Sequence, residues 1–69
     1  QNEFTLRLGK MVPFLHKAGM QRMLEQLPEN GKVTIDATNT EQLDTDVEGI
    51  ISNFVDAKQA EQRDWQFQR

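Results

Sequence analysis

The chain has 69 residues, no cysteine, eight basic and eleven acidic residues, and a net charge of −3. That length allows one small domain, burying only about 60% of its unfolded surface. The lack of cysteine rules out disulfides and thiolate metal sites, and the acidic balance speaks against a partner held mainly through a nucleic-acid backbone. A composition of 28% charged and 36% hydrophobic residues fits a folded domain rather than a disordered one. No stretch approaches the roughly 18 apolar residues of a membrane span. The chain has no signal peptide and does not begin with Met, so it reads as an excised segment of something longer. The absence of cysteine also leans towards a reducing compartment.

Phe4-Thr5-Leu6-Arg7-Leu8 alternates apolar and polar residues and predicts a half-buried strand. Gly9-Lys10 predicts a turn or bulge. Met11-Val12 suits a second short strand, ended by Pro13, which has no N–H for a ladder. Met20, Met23, Leu24 and Leu27 then recur at spacings of three and four, with Ala18 beside them. They predict a first helix over about residues 16–27, stopped by Pro28 and the turn residues Glu29-Asn30-Gly31. Lys32-Val33-Thr34-Ile35-Asp36 carries three β-branched residues and predicts an inner strand. Thr38-Asn39-Thr40 reads as a loop, with Leu43 as the lone apolar residue available to plug the core.

The second helix has the strongest signal. Val47, Ile50, Ile51, Phe54 and Val55 form an i, i+3, i+4, i+7, i+8 stripe, expected to continue to about Gln62. Asp44, Thr45, Asp46 and Glu48 stand at its start. Small polar residues there accept bonds from free backbone N–H groups. Acids there also suit the positive end of the helix dipole. Asp64-Trp65-Gln66-Phe67-Gln68 alternates again and predicts a last strand that the chain enters as it ends. Trp65 and Phe67, two apart, share one face of it. The order β(β)αβαβ implies an α/β domain over residues 1–69, with two helices packed on a mixed sheet of about four strands.

Four segments in this order resemble a known family. They are Phe14-Leu15-His16-Lys17-Ala18, Leu27-Pro28-Glu29-Asn30, Val33-Thr34-Ile35-Asp36-Ala37 and Asp44-Thr45-Asp46-Val47. They are similar to the F-L-N-K-A, L-P-E-N-S, V-I-I-D-A and I-D-H-D-V-L segments of the STAS domain (sulfate transporter and anti-sigma factor antagonist) of bacterial SulP-family anion transporters. The resemblance spans about residues 3–68. It implies a small STAS-like α/β fold on the cytoplasmic face of the cell's inner membrane, attached to a transmembrane carrier for sulfate or bicarbonate. It implies a regulatory, partner-binding role and no enzymatic activity or cofactor. The partners it implies are the carrier domain of the same polypeptide and a cytoplasmic regulatory protein. A homodimer is a further candidate.

In the anti-sigma antagonist branch, the loop before the second helix reads Asp-Ser-Ser-Gly, and its second Ser accepts a phosphoryl group. On that pattern Asp44 takes the Asp position, Thr45 the first Ser, Asp46 the phosphorylated Ser and Val47 the Gly. Asp46 cannot be a serine-kinase substrate. It already places a negative charge where phosphoserine would.

Three readings compete for the acidic stretch between Asp36 and Glu48: helix capping, a partner-docking loop at Asp44, Thr45, Asp46 and Glu48, and a Mg²⁺ or catalytic site. The last would need Asp36 and Asp44 to converge. Asp44-Thr45-Asp46 also resembles the start of haloacid-dehalogenase phosphatases. That motif sits directly on a hydrophobic strand end, whereas Glu41-Gln42 precede Leu43 here. A capping hydroxyl is the preferred role for Thr45, because flanking Asp44 and Asp46 oppose its phosphorylation. His16, the single histidine, makes neither a triad nor a multi-histidine site by itself and is assigned a capping or surface role. Core packing is preferred over a partner groove for Met20 and Met23. Lys58, Glu61 and Arg63 read as a solvated helix tail, and Gly9-Lys10 lacks the frame of a phosphate loop. The alternatives to a SulP-attached domain are a free-standing anti-sigma factor antagonist and an acidic-site phosphatase or phosphoacceptor enzyme.

Overall fold

A computed structural model describes residues 2–28 and 30–69. Strand β1 spans Glu3–Arg7 and β2 Met11–Val12; a 3-10 turn at Phe14–His16 leads into helix α1, Lys17–Glu25. Strand β3 spans Lys32–Asp36, β4 Gln42–Leu43, helix α2 Thr45–Ala60 and β5 Asp64–Gln68.

Strands β1, β3 and β5 form one sheet in the order β1-β3-β5, with both pairings parallel. β2 and β4 form a separate two-stranded parallel ladder. The expected mixed sheet of about four strands is therefore corrected to a three-stranded parallel sheet with a two-residue annex. The connections explain it. Each strand of the main sheet returns through a helix, and such a crossover leaves successive strands parallel. The annex arises because both chains step out of register together. Leu8 N–H still donates to Asp36 O (2.9 Å), Gly9-Lys10 then interrupts β1, and pairing resumes where Glu41 and Gln42 N–H donate to Lys10 O (2.8 and 3.0 Å).

Alternation on β3 sorts the sheet into two faces. Val33 and Ile35 are fully buried, and their register partners are Phe4 and Leu6 on β1 and Trp65 and Phe67 on β5. Both helices cover this side, where α2 packs on β5 and on α1. The opposite face carries Glu3, Thr5 and Arg7, Lys32, Thr34 and Asp36, and Asp64, Gln66 and Gln68. None of these nine is buried. Parallel sheets covered on both sides have continuously apolar strands; polar residues at every second position here leave one face to solvent.

The core joins Leu8, Val12, Met20, Leu24 and Leu27 to Val33, Ile35, Val47, Ile51, Val55 and Trp65. Several sequence expectations shift at its edges. The first helix is entered through the 3-10 turn and closes at Glu25, with Leu27 N–H bonding Leu24 O at 3.3 Å. Met23 is exposed rather than in the core, because it projects roughly 60° from Met20, away from Leu24. Ala18 is exposed as well. α2 stops at Ala60, and Gln62 (φ 66°) turns the chain. Of its stripe, Val47, Ile51 and Val55 are buried and Ile50 and Phe54 half-buried. Trp65 and Phe67 share a face as expected; Trp65 is buried, with its ring 5.7 Å from that of Phe54.

The tail of α2 is not simply solvated. The Lys58 ammonium lies over both the Phe54 and Trp65 rings (5.4 and 5.7 Å), and Arg63 Nε is 3.5 Å from Glu61 Oε1. In the turn before β3, Glu29 lies outside the described residues. Gly31 takes φ +97°, and a Cβ there would stand 2.4 Å from Asn2 O, so no other residue fits unstrained.

Candidate functional site

The acidic stretch lies at the carboxyl end of the parallel strands, where open α/β sheets place their ligand crevices. Its first acid, Asp36, ends β3. Asp36 Oδ1 accepts bonds from Thr38 N–H (2.9 Å) and the Thr38 hydroxyl (2.6 Å), and Arg7 Nε lies 3.4 Å from Oδ2. The Thr38 bonds, with a smaller contribution from Arg7, hold the Asp36 carboxyl below its ordinary value. This Asx-type turn reverses the chain after β3.

The rest of the loop is tied to the β1–β2 break. The Thr40 hydroxyl donates to Gly9 O (2.8 Å), and Asp44 N–H donates to Val12 O (2.9 Å). Leu43, half-buried, packs on the core as expected, but it does so from β4, a strand that the sequence reads as loop.

At the start of α2, Asp44 is the N-cap (φ −57°, ψ 139°); its Oδ2 accepts from Asp46 N–H (2.9 Å) and Val47 N–H (3.1 Å). The capping expectation therefore holds for Asp44 and is corrected for Thr45. Thr45 is the first helical residue and is exposed. A residue at that position already has helical dihedrals, so its side chain points away from the free N–H groups that the cap serves. Asp46 and Glu48 fill the first turn. Asp46 is exposed, 4.0 Å from Lys17 Nζ on α1, and Glu48 is ion-paired with Arg69.

Asp36 and Asp44 are thus committed to separate backbone tasks instead of facing one point. Among the described residues, no three His, Cys, Asp or Glu side chains gather in a group that could hold a metal ion. His16 is exposed and stands at the N-cap position of α1, yet its side chain makes no capping bond, so of the two expected roles, capping or surface, it takes the surface one. The four candidate residues Asp44, Thr45, Asp46 and Glu48 do come together, on one exposed corner with Lys17 and Arg69 at its sides. That corner can present charge and hydrogen-bond acceptors.

Sequence reasoning missed Arg7, Lys17 and Arg69, whose partners lie on other elements and leave no local signal. It also missed the exposed apolar residues around Phe14 and Leu15. Leu15 did carry a signal: it falls roughly 140° around the helix from the Met20–Leu24–Leu27 stripe.

No protein-family model, curated protein or solved structure matches this chain.

Proposed function

We propose that this chain is a regulatory interaction domain of the STAS type, attached to a SulP-type carrier of an inorganic anion such as sulfate or bicarbonate, at the cytoplasmic face of the membrane. It docks a partner through the acidic corner at the start of α2 and performs no chemistry of its own. The partner is the carrier domain of the same polypeptide or a cytoplasmic regulatory protein with a basic face.

The observation that carries the reading is Asp46. It is an exposed carboxylate in the first turn of a long helix, held in position by the Asp44 cap. That is the place where the antagonist branch carries its switchable phosphoserine. A permanent charge there needs no kinase to install it. Three of the four family-like segments support the reading too, since they fall at the entry to α1, on β3 and at the start of α2. Charge on such a corner mainly raises encounter rate and selectivity.

The test is Asp46→Lys in the full-length polypeptide, assayed by labelled sulfate and bicarbonate uptake into membrane vesicles. Uptake should change, while folding loses only the dipole contribution of about 0.3–1 kcal/mol. Uptake and its regulation unchanged by that charge reversal would sink the docking reading.

A further inference from the structure

Apart from Phe4 on the edge strand β1 (40% exposed), the exposed large hydrophobic residues fall between β2 and α1. Leu15 is 88% exposed, Met11 62%, Phe14 55% and Met23 44%. Local geometry explains why. In the two-residue strand β2, alternation buries Val12 and turns Met11 outward. Pro13 then ends the ladder, and the 3-10 turn throws Phe14 and Leu15 to the surface. Phe14 is held from one side by the Lys17 ammonium, 5.4 Å above its ring.

Met11, Val12, Pro13, Phe14 and Leu43 line a groove between this turn and the β2–β4 ladder. The charged residues lining it are Glu41 and Asp44, both acidic. Lys10 and Lys17 lie outside that lining, and Lys17 is engaged by Asp46 and Phe14. Apolar walls with an acidic rim favour an occupant that is apolar and basic. The same rim opposes anionic lipid headgroups.

We propose that this groove seats a basic amphipathic segment of a partner protein, with an apolar side chain against Met11 and Phe14 and a lysine or arginine facing Glu41 and Asp44. The inference rests on the reading of the acidic corner as a docking surface, which it extends from Asp46 across β4 to the 3-10 turn. The bond from Asp44 N–H to Val12 O ties the groove to the N-cap of α2 and so to the corner.

The experiment is an NMR titration of the isotopically labelled chain with a synthetic amphipathic helix of leucines and lysines. Amide shifts should concentrate at Met11, Val12, Phe14 and Leu15 and at Glu41–Asp44. Met11→Ala and Phe14→Ala should each weaken binding about tenfold, as expected for anchor residues. Glu41→Lys should weaken it as well, and replacing the peptide's lysines by glutamates should abolish it. Both alanine variants alter exposed side chains and should unfold at the wild-type midpoint. If Phe14→Ala does not fold, Met11→Ser carries the same test.

Binding lost on Asp46→Lys but unaffected by Met11→Ala and Phe14→Ala would overturn the groove and leave the acidic corner standing. Binding indifferent to all of these variants would overturn both. Vesicles containing phosphatidylglycerol that shift the same amides more tightly than the peptide would overturn the proposal in favour of a membrane surface. Shifts at these residues that appear with protein concentration alone would overturn it in favour of a second copy of the chain.

Discussion

Removing the cap of α2 by Asp44→Ala tests the central geometry of the site. Asp44 Oδ2 serves two backbone donors, Asp46 N–H at 2.9 Å and Val47 N–H at 3.1 Å. Losing a cap costs about 0.5–2 kcal/mol. Water can replace the bond at exposed Asp46. It does so less well at Val47, whose side chain is fully buried, and an unsatisfied donor there carries a penalty of its own. The cost should therefore fall in the upper part of the range, about 1.5–2 kcal/mol. A domain of this size has about 3–10 kcal/mol in total, so the loss is a large fraction. At about 4–8 °C per kcal/mol, Tm should fall by about 6–16 °C.

Asp44→Asn separates acceptor from charge. It keeps the oxygen and loses only the dipole interaction, about 0.3–1 kcal/mol. Urea unfolding would be followed by far-UV circular dichroism, which reports α2, and by fluorescence of buried Trp65. An unchanged midpoint in Asp44→Ala would show that the bonds to Asp46 and Val47 contribute nothing. Asparagine as damaging as alanine would show that charge, rather than capping, holds the helix start.

Ile51→Ala should cost about 3–4 kcal/mol, as for a fully buried aliphatic residue, and Phe54→Ala about 2–3 kcal/mol, because its ring is only partly buried against the core. Urea midpoints in the reverse order would place the wrong face of α2 inward. Thr38→Val removes the 2.6 Å hydroxyl bond to Asp36, so that carboxyl should titrate closer to its ordinary value of 3.8 in an NMR pH series. A carboxyl held low in the folded state contributes stability above its unfolded pKa and loses it as pH falls through the folded one. The acid-side loss should therefore be smaller, and complete at higher pH, in Thr38→Val than in the wild type. Identical titrations of Asp36 in the two proteins would remove Thr38 as the cause.

The elements were largely legible in the residues, because each rests on local chemistry. The 47-50-51-54-55 stripe can bury one side only as a helix, and Val33/Ile35 and Trp65/Phe67 share a face only as strands. Pro28 and Gly31 break the chain wherever they occur. A small polar residue just before an apolar stripe caps it, but the residues offered Thr45 as a cap alongside Asp44. Choosing Asp44 needed the backbone dihedrals of the folded junction.

What tertiary structure decided is everything that joins distant residues. The all-parallel pairing depends on how two helices return across one face of the sheet. The β2–β4 annex depends on two chain breaks meeting, and neither segment has enough alternation to announce itself. Arg7 with Asp36, Lys17 with Asp46 and Arg69 with Glu48 are each brought together from different elements. A stripe states only that some face is buried. How far Phe54 is covered, and that Met23 is not, is settled only once neighbouring elements close over one part of each stripe. Periodicity is a property of a few consecutive residues, whereas coverage is a property of the closed chain.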